Sequence, residues 1–247
     1  MAAPTEQSQN IVAALDDVRA RIQQAEAEAG RAPGSVRLLP VSKTFPASAV
    51  EAAMSAGCTR FGENKVQEAL HKFEELGADP EHPEWAIIGH LQTNKAKYVA
   101  RFATEFQALD SVEIAQALQH RLELEQRTLD VLIQVNTSGE QSKSGVDPDH
   151  ALDLLAPVTA CDRLALRGFM TIATNTDGQD EIRRCFRQLR QIRDRAQDVV
   201  GRELPELSMG MSADFPLAIA EGASVVRVGS AIFGARHYPT QAPNMGA

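Results

Sequence analysis

A single lysine lies at the end of a short apolar stretch, where its amine could react with a carbonyl compound. Residues 38–44 read LLPVSKT, and Lys43 comes just before the turn signal Phe45-Pro46. A lysine at a strand end is what an α/β protein needs to hold an aldehyde as a Schiff base. Most lysines are solvated surface residues, so this prediction depends on which groups face Lys43 in the fold.

Two segments near the C-terminus combine glycine and serine in a way that suits phosphate binding. Residues 208–212 read SMGMS and residues 227–230 read RVGS. Gly229 would let a phosphate approach backbone N–H groups, while Ser212 and Ser230 supply hydroxyl donors. Spacing alone leaves an alternative open, because Ser212 could cap a helix and Gly229 could simply turn the chain.

Arg227 is a charged residue between Val226 and Val228, in a stretch that otherwise resembles a buried strand. An unpaired charge in such a strand is expensive, so Arg227 needs a partner. A structural ion pair and contact with a ligand ring or acid near the mouth of the fold both satisfy this need.

The elements that must position these residues alternate between strand and helix. Alternation at this spacing predicts βαβ units and a parallel sheet. Eight units in 247 residues match one (β/α)8 TIM barrel, with an extra N-terminal helix before the first strand. A doubly wound open sheet is the alternative, but residues 43–46 are not the glycine-rich loop that it usually has after strand one. The strands are predicted at residues 36–43, 59–64, 85–90, 106–110, 129–136, 164–173, 207–211 and 224–228.

A barrel would bring the chemically interesting residues together. Active sites of this fold lie at the C-terminal ends of the strands, and the loops after strands seven and eight often hold a phosphate. Lys43 would end strand one, and Ser212 and Ser230 would follow strands seven and eight. An amine that faces a phosphate site suggests a phosphorylated aldehyde, and pyridoxal 5′-phosphate (PLP) is the obvious candidate.

Composition argues against several classes of function. The formal net charge of -8 does not favour a nucleic-acid partner. The three cysteines include no close pair, which favours a reducing cytoplasm over a disulfide framework or a zinc site. No stretch resembles a membrane span or a secretory signal. We expect a cytoplasmic protein with no membrane partner and no metal site, in which residues 1–9 form a disordered tail, residues 10–238 the barrel and residues 239–247 a C-terminal tail.

Five segments, taken in order, resemble the pyridoxal phosphate homeostasis protein family. They are VSK at 41–43, FGEN at 61–64, IGHLQTNK at 88–95, SMGMS at 208–212 and VRVGSAIFG at 226–234. Each segment alone is a weak signal, but five in one order over nearly the whole chain are very specific. The resemblance implies a single barrel like the N-terminal domain of alanine racemase, with PLP held on a lysine as a Schiff base.

The resemblance also implies roles for individual residues. Lys43 matches the Schiff-base lysine, Asn64 the residue beside the cofactor ring, and Arg227 the arginine that faces the pyridine nitrogen. The phosphate cradle would be formed by Ser212, Gly229 and Ser230, with Met211 lining the same pocket. The resemblance assigns no individual role to other residues of its motifs, which are Gly89, His90, Gln92, Asn94 and Lys95.

Two functions from different classes could use such a site. The first is a non-enzymatic protein of intracellular PLP homeostasis, a monomer that buffers PLP or delivers it, with other B6 vitamers and PLP-requiring apoenzymes as candidate partners. The second is a PLP-dependent amino-acid racemase. A two-base racemase needs a second acid/base, to which a second domain contributes in alanine racemases, and we expect no such domain here. An arginine at the ring nitrogen also makes the cofactor a poorer electron sink. The sequence therefore favours the carrier, with no catalytic residue.

Overall fold

The predicted alternation of strands and helices is present along the chain. The computed structural model describes residues 5–77 and 82–234. The strands in these ranges are β1 Arg37–Pro40, β2 Arg60–Glu63, β3 Glu84–Ile87, β4 Glu105–Leu109, β5 Leu129–Gln134, β6 Leu164–Met170, β7 Glu206–Ser208 and β8 Val225–Val228. The α-helices are α1 Glu6–Glu28, α2 Ala47–Ser55, α3 Val66–Leu76, α4 Ala96–Phe102, α5 Val112–Glu125, α6 Leu155–Thr159, α7 Gln179–Val200, α8 Phe215–Ala220 and α9 Ser230–Phe233. Shorter 3-10 helices cover Thr93–Lys95 and Pro148–Leu154.

The strands form one parallel sheet that curls into a barrel. Their order is β1-β8-β7-β6-β5-β4-β3-β2, so β1 and β2 are its two edges. These edges meet where Val41 pairs with Gly62 in a parallel bridge, and the Ser42 N–H donates to the Gly62 carbonyl oxygen at 3.1 Å. The predicted (β/α)8 barrel is confirmed, and the open-sheet alternative is wrong.

The extra N-terminal helix is present, but it begins earlier than predicted. Residues 6–9, which we expected in a disordered tail, form the first turn of α1. Thr5 explains the earlier start, because its Oγ1 accepts a hydrogen bond from the Ser8 N–H at 3.2 Å and so caps the helix. Residues 1–4 and the predicted C-terminal tail at 239–247 lie outside the described residues.

The interior of the barrel has an apolar part and a polar part. Side chains alternate between the two faces of a strand, so every second residue points inward. The apolar part consists of Leu39, Val41, Ala86, Ile88 and Val225. The polar part consists of the buried residues Glu105, Gln107, Ser208 and Arg227. A much larger apolar core fills the space between the sheet and the helices.

Helix α7 is held to the barrel by charge as well as by apolar packing. Three of its arginines reach the nearly buried carboxylate of Glu221, at 3.4 Å for Arg183, 3.0 Å for Arg187 and 3.7 Å for Arg190. This contact orients the helix against the turn that leads into β8. None of the helices in the described part of the chain combines the length and the apolar character that crossing a bilayer requires.

Candidate functional site

A cavity opens at the C-terminal ends of the strands, and all seven predicted site residues line it. Its volume is about 470 Å³, which is within the usual range for small-molecule sites. The residues that it brings together come from the ends of β1, β2, β7 and β8, and they are Lys43, Asn64, Met211, Ser212, Arg227, Gly229 and Ser230. Residues up to about 190 positions apart in the chain therefore share one site.

Lys43 reaches the cavity from a tight turn at the end of β1. The residues before it, Val41 and Ser42, are buried, whereas Lys43 itself is half-buried. The Phe45 N–H donates to the Ser42 carbonyl oxygen at 3.1 Å, and Thr44 between them has a left-handed φ of 70°. The turn leads the chain outward to α2 and leaves Lys43 at the mouth of the barrel.

Asn64 is positioned by a close approach between the ends of β2 and β3. The Ile88 N–H donates to the Glu63 carbonyl oxygen at 2.9 Å, which aligns the two strand ends. A Cβ on Gly89 would overlap the carbonyl oxygen of Asn64. Only glycine allows this approach, so Gly89 fixes the backbone position of Asn64.

Arg227 is buried in the barrel wall, with 4% of its surface exposed. Its Nη1 donates to Ser208 Oγ at 2.7 Å, and its Nη2 donates to the Thr171 carbonyl oxygen at 2.7 Å. Burial lowers the pKa of Arg227 to about 10, an effect that the nearby Asp214 carboxylate opposes. The guanidinium therefore stays charged at neutral pH. Its hydrogen-bond partners among the described residues are a hydroxyl and a carbonyl oxygen and not a carboxylate, so a simple structural ion pair does not explain its position.

The loops after β7 and β8 meet at the cavity rim. Ser212 Oγ accepts a long hydrogen bond of 3.4 Å from the Ala231 N–H, which joins the two loops. Ser212 does not cap α8, because the N-cap residue of that helix is Asp214. Gly229 packs against β1, and a Cβ there would lie 3.1 Å from the Val41 carbonyl oxygen. Ser230 begins α9 at the rim, so both serine hydroxyls belong to one edge of the cavity.

A wall of the cavity formed by the ends of β5 and β6 was not predicted. Gln134, Lys143 and Ser144 line it. Lys143 Nζ donates to Glu140 Oε1 at 2.6 Å and to the Ala173 carbonyl oxygen at 2.8 Å, while Gln134 Nε2 donates to the Ser144 carbonyl oxygen at 2.9 Å. The signal that could have found this wall is the long loop after β5, since such loops in barrels carry function.

The segment 88–95 contributes less to the cavity than its place in the motif suggests. His90 lines the cavity with 56% of its side chain exposed, and its Nδ1 lies 3.5 Å from Asp110 Oδ2. Gln92 and Asn94 are exposed beside the cavity and do not line it, and Lys95 closes the short 3-10 helix there. Within this segment, Ile88, Gly89 and His90 line the cavity and the later motif residues do not.

Glu63 lies behind the cavity wall, on the side of β2 that faces the helices. Its Oε1 accepts hydrogen bonds from Ser42 Oγ at 2.7 Å and from Lys72 Nζ at 2.5 Å. Burial raises the pKa of Glu63 to about 7, although the Lys72 charge and the two hydrogen bonds pull it down. The carboxyl does not line the cavity, so it supports the wall and does not act on a ligand.

Fold and cavity together define a class of protein. It is the class of (β/α)8 barrels that present a lysine after the first strand and serine- and glycine-containing loops after the last two strands, at a mouth of small-molecule size. The described residues contain no group of three or more histidine, cysteine or acidic side chains placed to hold a metal ion.

Comparison with known proteins identifies the family. The model of the family described as alanine racemase, N-terminal domain, matches residues 14–237. The pyridoxal phosphate homeostasis protein of Haemophilus influenzae is 40% identical over 232 residues, which cover 94% of this chain and 98% of that protein. The protein of the same name from Escherichia coli is 42% identical over 229 residues, which cover 91% of this chain and 96% of that protein. The chain belongs to the pyridoxal phosphate homeostasis protein family, within the larger family of alanine racemase N-terminal domains.

Solved structures agree with this assignment. The structure of PipY from Synechococcus elongatus with PLP bound has a TM-score of 0.79 and 34% identity, and the match covers 91% of this chain and all of that one. An alanine racemase from Clostridium difficile has a TM-score of 0.73 at 12% identity, and the match covers 94% of this chain but 58% of the racemase. The second likeness shows a shared fold alone.

Proposed function

We propose that this protein binds PLP in the cavity and acts in intracellular PLP homeostasis, holding the cofactor on Lys43 and buffering or delivering it. One observation carries the proposal: an amine, a buried guanidinium and two serine hydroxyls line a single cavity of about 470 Å³. Family membership supports it, as does the PLP bound in the related PipY structure.

The residues of the cavity fit this cofactor. When bound, PLP supplies an aldehyde that condenses with a primary amine and releases water. Lys43 offers that amine at the end of β1. The hydroxyls of Ser212 and Ser230 would donate to phosphate oxygens, and Gly229 would let the phosphate approach the backbone. Asn64, held in place by Gly89, would lie beside the ring.

Arg227 favours storage over turnover. A guanidinium that is held by Ser208 and Thr171 and keeps its charge at neutral pH can donate to the pyridine nitrogen but cannot accept a proton from it. An unprotonated ring nitrogen withdraws electrons weakly, so carbanion chemistry is suppressed while reversible binding of the aldehyde is not. We therefore propose a carrier without catalytic residues.

A PLP-dependent amino-acid racemase is the second candidate. The observation in its favour is that two further titratable side chains, His90 and Lys143, line the same cavity. Incubation of the PLP-loaded protein with single enantiomers of several amino acids separates the candidates. The carrier should leave each enantiomer unchanged over many hours, and sustained racemisation at rates typical of enzymes would overturn the proposal.

Borohydride trapping tests the attachment site. Wild-type protein incubated with PLP and reduced should carry one adduct, which peptide mass spectrometry locates at Lys43. Lys43→Ala should lose the adduct. Lys143→Ala, at a second lysine of the same cavity, and Lys97→Ala, at an exposed lysine on α4, should keep it. An adduct that persists at another lysine in Lys43→Ala would show that the assignment of Lys43 is wrong.

We further propose that the protein acts as a monomer in the cytoplasm, binds other B6 vitamers more weakly than PLP, and passes PLP to PLP-requiring apoenzymes. Free Cys58, Cys161 and Cys185, all buried, suit a reducing compartment. Light scattering coupled to gel filtration would measure the oligomeric state. Activation of a PLP-depleted enzyme by the loaded protein, compared with an equal amount of free PLP, would test delivery.

A further inference from the structure

The backbone on both sides of Lys43 is held by charged side chains of helix α3. Before it, the Ser42 carbonyl oxygen accepts a hydrogen bond from Lys72 Nζ at 2.7 Å. After it, the Thr44 N–H donates to the carboxylate of Glu68. Lys72 and Glu68 are one helical turn apart on α3, so a single rigid element contacts both neighbours of Lys43.

These side chains form one cluster with Glu63, and Lys72 and Glu63 at its centre are buried. Lys72 Nζ donates to Ser42 O, to Glu63 Oε1 at 2.5 Å and to Glu68 Oε1 at 3.1 Å, which uses all three donors of the ammonium. Only 5% of the Lys72 side chain and none of the Glu63 side chain is exposed. Burying these charges away from water is costly, and ordinary packing of α3 on β2 does not require it.

The turn that the cluster holds has a strained backbone. Thr44 has a φ of 70° and is one of two non-glycine residues with positive φ in the described chain, with Gln126. A β-branched residue avoids this conformation unless its surroundings impose it. The hydrogen bonds from Thr44 to Glu68 and from Lys72 to Ser42 impose it from the two sides.

We propose that Lys72 and Glu68, together with Glu63, are positioning residues that hold the turn of residues 42–44 in the conformation that presents the Lys43 amine to the cavity. The inference rests on the proposed function of Lys43. If the turn is already ordered, the Lys43 amine can react without the backbone first being fixed in place. Small displacements of a reacting group reduce reaction rates strongly. None of the three side chains lines the cavity. Lys72 and Glu68 contact the backbone of Ser42 and Thr44, and Glu63 contacts the Ser42 hydroxyl, so the cluster acts on the turn that carries Lys43.

The alternative is a purely structural role, in which the cluster only attaches α3 to the barrel. It predicts that removing Lys72 lowers thermal stability and leaves the reactivity of Lys43 unchanged in the protein that remains folded. The positioning role predicts slower adduct formation at Lys43 at temperatures far below unfolding. The two therefore differ in a rate measured on folded protein.

Four variants separate these readings. Lys72→Met removes the ammonium and keeps the chain length, with Lys97→Met on α4 as an exposed control. Glu68→Ala removes the oxygen that accepts a hydrogen bond from the Thr44 N–H. Glu68→Gln keeps an acceptor oxygen at this place and should therefore behave like the wild-type protein. The Glu68 side chain is 26% exposed, so its variants should fold even if Lys72→Met does not.

Two measurements on these variants complete the test. The first is the rate of PLP adduct formation at Lys43, which should fall by roughly tenfold or more in Lys72→Met and Glu68→Ala and stay near wild type in Glu68→Gln and Lys97→Met. The second is amide hydrogen exchange in the peptide that contains residues 42–45 of the apo-protein, which should accelerate in the same two variants.

Each outcome decides a different question. Unchanged adduct rates and unchanged exchange in a folded Glu68→Ala protein would overturn the positioning role. Wild-type protein that forms no adduct at Lys43 would defeat the proposed function, but faster exchange in Glu68→Ala would still support the hold on the turn, since that readout needs no PLP. Faster exchange with unchanged adduct rates would show that the cluster orders the turn without positioning Lys43.

Discussion

Arg227 donates a hydrogen bond from Nη1 to Ser208 Oγ at 2.7 Å, and this contact begins a chain that crosses the barrel interior. Ser208 Oγ donates to Gln107 Oε1 at 2.7 Å, and Gln107 Nε2 donates to Glu105 Oε1 at 2.5 Å. Glu105 begins β4 at the other end of the barrel, where it also accepts from Arg37 and Arg60. In each of these hydrogen bonds the donor lies on the Arg227 side and the acceptor on the Glu105 side. The chain therefore orients the Arg227 guanidinium from the end of the barrel where Glu105 lies.

Replacing the middle of this chain should weaken both the fold and the cofactor site. Gln107→Leu removes the acceptor of the Ser208 hydroxyl and one donor to the Glu105 carboxylate, which should lower the free energy of unfolding by about 1–3 kcal/mol. PLP affinity should also fall, because Arg227 loses its orientation. Urea unfolding and an absorbance titration measure the two effects, with Gln116→Leu on the exposed side of α5 as control. Unchanged PLP affinity would show that Arg227 is oriented without the chain.

The two rim serines should discriminate between phosphorylated and unphosphorylated ligands. Ser212→Ala combined with Ser230→Ala removes two hydroxyl donors from the edge of the cavity. Hydrogen bonds to charged groups contribute about 1.5–3 kcal/mol each, so PLP affinity should fall at least tenfold while pyridoxal affinity changes little. Equilibrium titration of both ligands measures this, with Ser48→Ala on the surface of α2 as control. Equal losses for the two ligands would contradict a phosphate site at these serines.

Stability should depend on pH through Glu63. The pKa of Glu63 is about 7 in the folded protein and 4.5 in its ordinary state, so between these values the folded state holds more protons than the unfolded state. The free energy of unfolding should therefore decrease as pH rises through this window. Glu63→Gln removes the titration, and its free energy of unfolding should decrease less over the same range. Urea unfolding of both proteins at the two ends of the window measures the difference, and parallel curves would contradict the raised pKa.

Gly89 should tolerate no side chain. Gly89→Ala places a Cβ against the Asn64 carbonyl oxygen, which must move, and overpacking of this kind costs about 1–3 kcal/mol of stability. PLP affinity should fall with it, because Asn64 shifts. Gly178→Ala is the matched control, since that residue has an ordinary φ of -75° and a Cβ there would lie 3.5 Å from its nearest neighbour. A similar loss in both variants would show that the close approach at Asn64 is not the cause.

The sequence was sufficient for the barrel and for the predicted residues that line its mouth. Strand ends carry local signals, such as the apolar run before Lys43 and the glycine and serine after β8, and the barrel topology then brings those ends together. It was less reliable where one polar contact decides the outcome. The start of α1 depends on the Thr5 cap, which lies within a polar stretch that reads as a tail.

Contacts between distant strands and helices could not be predicted. The link from Gln107 on β4 to Ser208 on β7 spans 101 positions, and neither residue stands out in its own strand. A lysine on an amphipathic helix is usually solvated, but Lys72 lies buried against Ser42. The loop that brings Lys143 to the cavity has no periodicity. In each case the contacting residue can be identified only when the curvature of the barrel is known.

The junction between β1 and β2 gives cofactor binding a mechanical consequence. In the described residues the other neighbouring strands pair directly, whereas β1 and β2 meet at the single bridge between Val41 and Gly62. Lys43 follows this bridge on the β1 side, and Asn64 follows it on the β2 side. A ligand bonded to Lys43 and packed beside Asn64 would join these two edges of the sheet, so loading and release of the cofactor would also tighten and loosen the barrel wall at this junction.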